Sequence, residues 1–303
     1  MDIEILGTES LGVRGLCCVV RTSNRQIVID PGVALGYQRH GLLPHPVQIA
    51  AGEDVRQSII RALENATDVV ISHFHGDHMP LPDANPYQLS LDRVKDLLMT
   101  PQLWIKGESG ETHPIAERRK RFLAALERTV LPCDGQRQGL LTFSSPMPHG
   151  SGHNPMGTVM MTRIEEGGEV FVHASDIQLL DDAPISQILD WHPTTVWVSG
   201  PPLYREIPVA WLTEAASRAR ALAKIAKWCI VDHHLLRSLE GVQWLNMLHA
   251  ETAGRILCAA DFMKRKRRLL EADRVEQYRR MPVPEDWHEL YADGRVNTSE
   301  FRT

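Results

Sequence analysis

The run His73-Phe74-His75-Gly76-Asp77-His78 constrains this chain more than any other segment. It places three histidines and one aspartate within six residues, directly after the apolar stretch Asp68-Val69-Val70-Ile71-Ser72. A short β-branched run bounded by polar residues predicts a buried strand. The polar continuation then has to emerge at the rim of a sheet, where rigid scaffolds present functional groups. Gly76 permits the tight turn that gathers His75, Asp77 and His78 around one point. Imidazole and carboxylate together are a donor set for zinc, iron or manganese. The bland reading, a polar loop with coincidental histidines, loses ground because further histidines and acids follow later strands.

The first third predicts strands over 2–6, 17–22 and 26–30, separated by Gly7, Gly15, Asn24, Pro31 and Gly32. Residues 33–52 read as a loop. An amphipathic helix is expected from Glu53 to Asn65, because Val55, Ile59, Ile60 and Leu63 share a face. Helices are also expected over 91–99, 116–130 and 209–227, and through most of 240–280. Further strands are expected over 68–72, 102–106, 139–145, 158–164, 169–175, 194–199 and 228–231. Each half supplies strands and helices, and no repeat period is visible. The expected architecture is α/β (α+β): two mixed β-sheets face to face with helices outside, a four-layer αββα sandwich. Residues 1–303 are expected to form a single domain with a helical C-terminal part over about 240–303.

Composition narrows the partners. The 303 residues carry a formal net charge of -5, with 43% hydrophobic and 23% charged residues. That balance fits a globular chain with a sizeable core, and no global field draws it to nucleic acid. The basic run Lys264-Arg265-Lys266-Arg267-Arg268 reads as a solvated helix face, offset by Glu271, Asp273 and Glu276. No segment has membrane-spanning length or the form of a signal peptide. Cys17, Cys18, Cys133, Cys229 and Cys258 are odd in number and lack CxxC spacing, so free thiols in a reducing compartment are expected, and hence a cytoplasmic protein.

The pattern His73-x-His75-x-Asp77-His78 resembles the HxHxDH signature of the metallo-β-lactamase-fold superfamily. Later motifs follow in order. Asp30, closing Ile27-Val28-Ile29-Asp30-Pro31-Gly32, resembles the early structural aspartate. His149 in Pro148-His149-Gly150 resembles the third motif, Asp176 in Ala174-Ser175-Asp176 the bridging carboxylate, and His233 the last histidine. More narrowly, Ser199-Gly200-Pro201-Pro202 with Tyr204, and Asp232-His233-His234-Leu235-Leu236-Arg237, resemble a little-characterised family of predicted metal-dependent hydrolases. The resemblance implies two adjacent metal positions. His73, His75 and His149 would hold the first, and Asp77, His78 and His233 the second, with Asp176 bridging both. His153 competes with His149; His149 is preferred as nearer the strand end. His234 competes with His233; the arginine four residues beyond His233 favours the latter. His173 reads as a hydrogen-bonded core histidine, not a ligand.

The implied cofactor is two divalent metal ions, with zinc ahead of manganese or iron. A water shared by two such ions becomes hydroxide near neutral pH. Two dications, two aspartates and one hydroxide leave roughly one net positive charge, which favours an anionic small-molecule substrate. The expected activity is hydrolysis of an ester-type bond, with a phosphodiester ahead of a carboxylic ester, lactone or thioester. Asp77 is the candidate catalytic residue, orienting the hydroxide or shuttling its proton. His234, Arg237 and Tyr204 are candidates for contacting substrate. The alternatives are a di-iron redox or sensor protein on the same fold, a nuclease acting on RNA or DNA, and a metal-binding protein without catalysis.

Overall fold

The computed structural model describes residues 1–151 and 156–302. Its first sheet contains β1 (Asp2–Gly7), β2 (Cys17–Arg21), β3 (Gln26–Ile29), β4 (Asp68–Ile71) and β5 (Gln102–Ile105), in that spatial order. The first three strands run antiparallel and the last three parallel. Then come β6 (Arg137–Gln138), β7 (Leu141–Phe143), a short ribbon of β8 (Met147–Pro148) and β9 (Thr158–Val159), β10 (Thr162–Glu166), β11 (Glu169–His173), β12 (Thr195–Val198), β13 (Trp228–Val231) and β14 (Ile256–Leu257). The second sheet is ordered β14-β13-β12-β11-β10-β7-β6, again antiparallel at one end and parallel at the other.

Strand alternation sorts side chains into two cores. From the first sheet, Ile5, Cys18, Val20, Ile27, Ile29 and Val70 pack with Phe143, Ile164, Phe171 and Trp197 of the second. Their neighbours Leu6, Cys17, Val19, Val28, Val69 and Ile71 face outward. There they meet Ile49, Val55 and Ile59 of α1 (Pro46–Leu63) and Ile115 and Phe122 of α2 (His113–Leu126). The core of the second sheet also takes in Ile185 and Ile188 of α3 (Asp182–Asp190), Ala219 and Leu222 of α4 (Val209–Ile225), and Leu245 of α5 (Leu239–Glu251). This is the expected αββα sandwich. Among the described residues no helix is long and apolar enough to cross a membrane.

Several local expectations are corrected. Helix α1 begins at Pro46, inside the expected loop, because the His45 side chain caps the Val47 N–H and Pro46 suits the first turn. The segment 91–99 forms two separate 3₁₀ turns, Leu91–Arg93 and Asp96–Leu98. Helix α3, capped by Asp181, is an addition to the expected set. The 240–280 stretch is interrupted by β14 and by a non-helical link between α6 (Ala259–Phe262) and α7 (Arg274–Arg280). The basic run lies in that link and not on a helix, since Lys264 adopts a left-handed φ of 54° that stops α6. Arg267 there pairs with Asp261. At the chain end, α8 (Trp287–Ala292) and Phe301 return to the core beside α1.

Gly32, just after β3, passes so close to His78 and Met79 that a Cβ would overlap their main chain. Backbone cannot yield as a flexible side chain can. Gly32→Ala is therefore expected to lower stability by about 3 kcal/mol, measured by denaturant unfolding, while Gly168→Ala, in an open turn at a left-handed φ of 81°, should cost clearly less.

Candidate metal centre

The structural Asp30 and every predicted ligand except the one on the ribbon follow a strand of one of the two sheets. Asp30 follows β3, and His73 to His78 follow β4. His149 follows the ribbon strand β8, and its N–H donates to Gly157 O at 3.1 Å. Asp176 follows β11 and His233 follows β13. The folding of both sheets thus delivers five loops to one rim. Three of the turns carry left-handed residues that are not glycine: Asp30 (φ 48°), Ser175 (φ 53°) and His233 (φ 58°). Such backbone is costly and persists only where its surroundings enforce it.

Asp176 lies at the middle and is buried. Its Oδ2 is faced by His73 Nε2 at 3.4 Å, His75 Nδ1 at 3.7 Å and His149 Nε2 at 3.1 Å. The Oδ1 atom is faced by His78 Nε2 at 3.2 Å and His233 Nε2 at 3.4 Å. Asp77 Oδ2 completes the second group, 3.4 Å from His233 Nε2. Metal bonds of about 2.0–2.1 Å in a tetrahedron separate neighbouring donors by roughly 3.3 Å. The donor spacings bracket that value. His78 Nε2, His149 Nε2 and Asp176 Oδ1 are also buried without a hydrogen-bond partner, which native structures rarely leave unexplained. The residues therefore fit divalent ions, with donor clusters at His73, His75, His149 and Asp176, and at Asp77, His78 and His233.

Outer contacts fix the rings. His78 Nδ1 lies 2.9 Å from Asp30 Oδ2, which aims Nε2 inward. Asp30 also accepts the Ser72 N–H at 2.8 Å and the Ser72 hydroxyl at 2.6 Å. The Ser72 and Ser175 hydroxyls meet at 2.6 Å, joining the β4 and β11 loops. Burial opposes charge on Asp176, yet His78, His234, His149 and His233 hold its carboxyl well below the usual range. Burial pushes His73 well below the ordinary imidazole value and lowers His149 too, leaving lone pairs for a metal. Burial also acts against charge on His78, but Asp176, Asp30 and Asp77 raise it well above the ordinary value. A metal at its Nε2 would displace that proton.

His234 also enters the site, with Nε2 3.5 Å from Asp176 Oδ2. Its Nδ1 is met at 2.9 Å by the Gln178 amide nitrogen, an assignment that leaves the ring proton on Nε2. Arg237 lies beside the second group and Tyr204 beside Arg237. His153 lies outside the described residues. His173 is buried and joins none of the donor clusters, with Nε2 2.8 Å from Leu16 O. Sequence reasoning missed Gln178, Ser72, Glu9 and the role of Asp232. The Asp232 carboxylate accepts from Ser10 N, His233 N and Ala259 N at 3.0, 2.7 and 2.9 Å. Only its adjacency to His233 could have flagged it.

Two sheets of this order, with a His/Asp centre at one rim, define a metallo-β-lactamase-fold protein. The fold is shared with the metallo-β-lactamase fold protein YhfI from Bacillus subtilis, at a TM-score of 0.50 and 12% identity over 85% of this chain and 95% of that one. No protein-family model matches the sequence. The UPF0282 protein of Methanosarcina mazei is 48% identical over 99% of both chains. UPF0282 protein MK0213 of Methanopyrus kandleri is 33% identical over 91% of this chain and 98% of its own. The chain belongs to the UPF0282 family.

Asp30→Asn would keep the shape but lose the charge that orients His78. A 10–100-fold weaker grip on metal is expected, read by dialysis against graded free zinc. Unchanged affinity would mean that His78 is oriented by packing alone.

Proposed function

We propose that this protein is a metal-dependent hydrolase of ester-type bonds, with phosphodiesters ahead of carboxylic esters, lactones and thioesters. The observation that carries the reading is the Asp176 carboxylate, with one oxygen facing each donor group and partnerless buried donor atoms around it. The proposed set is His73, His75, His149 and Asp176 for one ion, and Asp77, His78, His233 and Asp176 for the other. Bound divalent metal supplies an acidified water and a Lewis acid for the substrate oxygen.

The protein's own groups have separable tasks. Asp77, the more exposed of the two carboxylates, is our candidate for orienting incoming water or shuttling its proton. His234, with its proton on Nε2, faces the same centre and can donate to a substrate oxygen. The guanidinium groups of Arg39, Arg205 and Arg237 lie 4.9, 5.5 and 5.6 Å from the Tyr204 ring. Arg237 adjoins the second donor group, and a cation there favours an anionic substrate, which is our reason to rank phosphodiester above neutral ester. The site therefore has the parts that metal-assisted hydrolysis needs: donors, a proton acceptor and a field of the right sign.

Purified protein is expected to carry zinc or manganese and to turn over bis-p-nitrophenyl phosphate. His149→Ala and Asp176→Ala should each reduce kcat/KM by about 100-fold or more. Iron with a visible band that changes on reduction, together with no ester or phosphoester turnover, would replace this reading by redox chemistry.

A further inference from the structure

His233 differs from the other candidate ligands. Whereas His78 Nε2 and His149 Nε2 have no hydrogen-bond partner, the His233 ring has Arg237 Nη2 over it, 2.8 Å from Nε2 and 3.3 Å from Nδ1. Arg237 Nη2 also lies 3.5 Å from Asp77 Oδ2, so it touches both His233 and Asp77. These are two of the residues that an ion in the second position would need.

Arg237 is not a loose surface side chain. It is buried, and its Nε donates to Glu9 Oε1 at 2.9 Å. Its Nη1 reaches the Tyr204 hydroxyl at 3.4 Å, and its main-chain oxygen accepts from Arg39 Nη2 at 3.1 Å. Glu9 comes from the turn after β1, in the first sheet's half, so the guanidinium is held from across the sandwich. The first position is different. Among the described residues, the groups within 4 Å that could pair with Asp176 Oδ2 are all imidazoles: His73, His75, His149 and His234.

A guanidinium keeps its charge at any working pH. In a buried, water-poor site it repels a nearby dication strongly. The geometry points to an unequal centre, in which Arg237 is a built-in cation at the second metal position. The ion at His73, His75, His149 and Asp176 then binds tightly. The ion at Asp77, His78, His233 and Asp176 binds weakly, because it has to settle beside the Arg237 cation. Arg237 is thus a positioning residue that sets metal stoichiometry. The inference rests on the proposed function only in requiring that the centre binds metal.

The test uses full-length protein saturated with zinc, dialysed against buffers of graded free zinc, with bound metal counted by mass spectrometry. One ion is expected to remain where the other has left, the two affinities differing by about 100-fold or more. Removing Arg237 alone would leave the buried Glu9 carboxyl without its partner, so the variant pairs Arg237→Gln with Glu9→Gln. That variant should narrow the gap to under about 10-fold, whereas Arg237→Lys, which keeps the charge, should preserve it. Wild-type protein that loses both ions together overturns the inference, and needs no variant to fold. A folded double variant with the wild-type gap overturns it as well. Metal bound without turnover would sink the hydrolase reading and leave this one standing; a chain that binds no metal would sink both.

Discussion

The structure turns on the burial of one carboxylate. Asp176 lies among His73, His75, His78, His149, His233 and His234, with its two oxygens shared among them. A buried ion survives only where partners compensate its lost hydration. Those partners come from both sheets, so Asp176 is tolerable only once both halves have packed. The outer layer follows from the same demand. Asp30 turns His78 inward, Ser72 and Ser175 tie their loops together, and Asp232 gathers N–H groups from three segments. The left-handed turns at Asp30, Ser175 and His233 show that this convergence is imposed on the backbone.

Much of this was legible in the chain. The β4 strand announced itself as a β-branched run, and its polar continuation could lie only at a rim. The sandwich followed from strand and helix order, and the candidate donors from the resemblance of the His73 to His78 run and the later motifs to a known family. Other features had no local signature. The 91–99 segment has the apolar spacing of a helix, but breaks into two 3₁₀ turns. The basic run has helix-forming residues, yet a single left-handed residue, Lys264, ends α6 before it. Gln178, Glu9 and Asp232 act through partners far away in sequence. Glu9, for example, finds Arg237 across 228 positions, and no window of neighbouring residues contains such a pairing.

The polar interior has a direction. At one end are converging imidazoles, of which His73 and His149 are held below the ordinary value by burial, and at the other a paired group in which Arg237 meets Glu9, and Arg14 meets Glu271 at 2.7 Å. Opposite charges in that group satisfy one another at close range, so it can stay dry. The imidazole end is incomplete by the same measure, because its donors converge on one another. Adjacent patches of one rim are thus built for different purposes, one for internal closure and one for an incoming cation.

The donors also divide by origin. His73, His75, Asp77 and His78 belong to the first sheet, Asp176 and His233 to the second, and His149 to the ribbon between them. An ion held by this set would recognise only the assembled sandwich, since neither sheet alone presents a complete shell. Mass action then makes metal supply a lever on the cohesion of the whole body. The ion would act as a rivet through the two sheets, so that a chelator should loosen the seam between the halves as well as quench the chemistry.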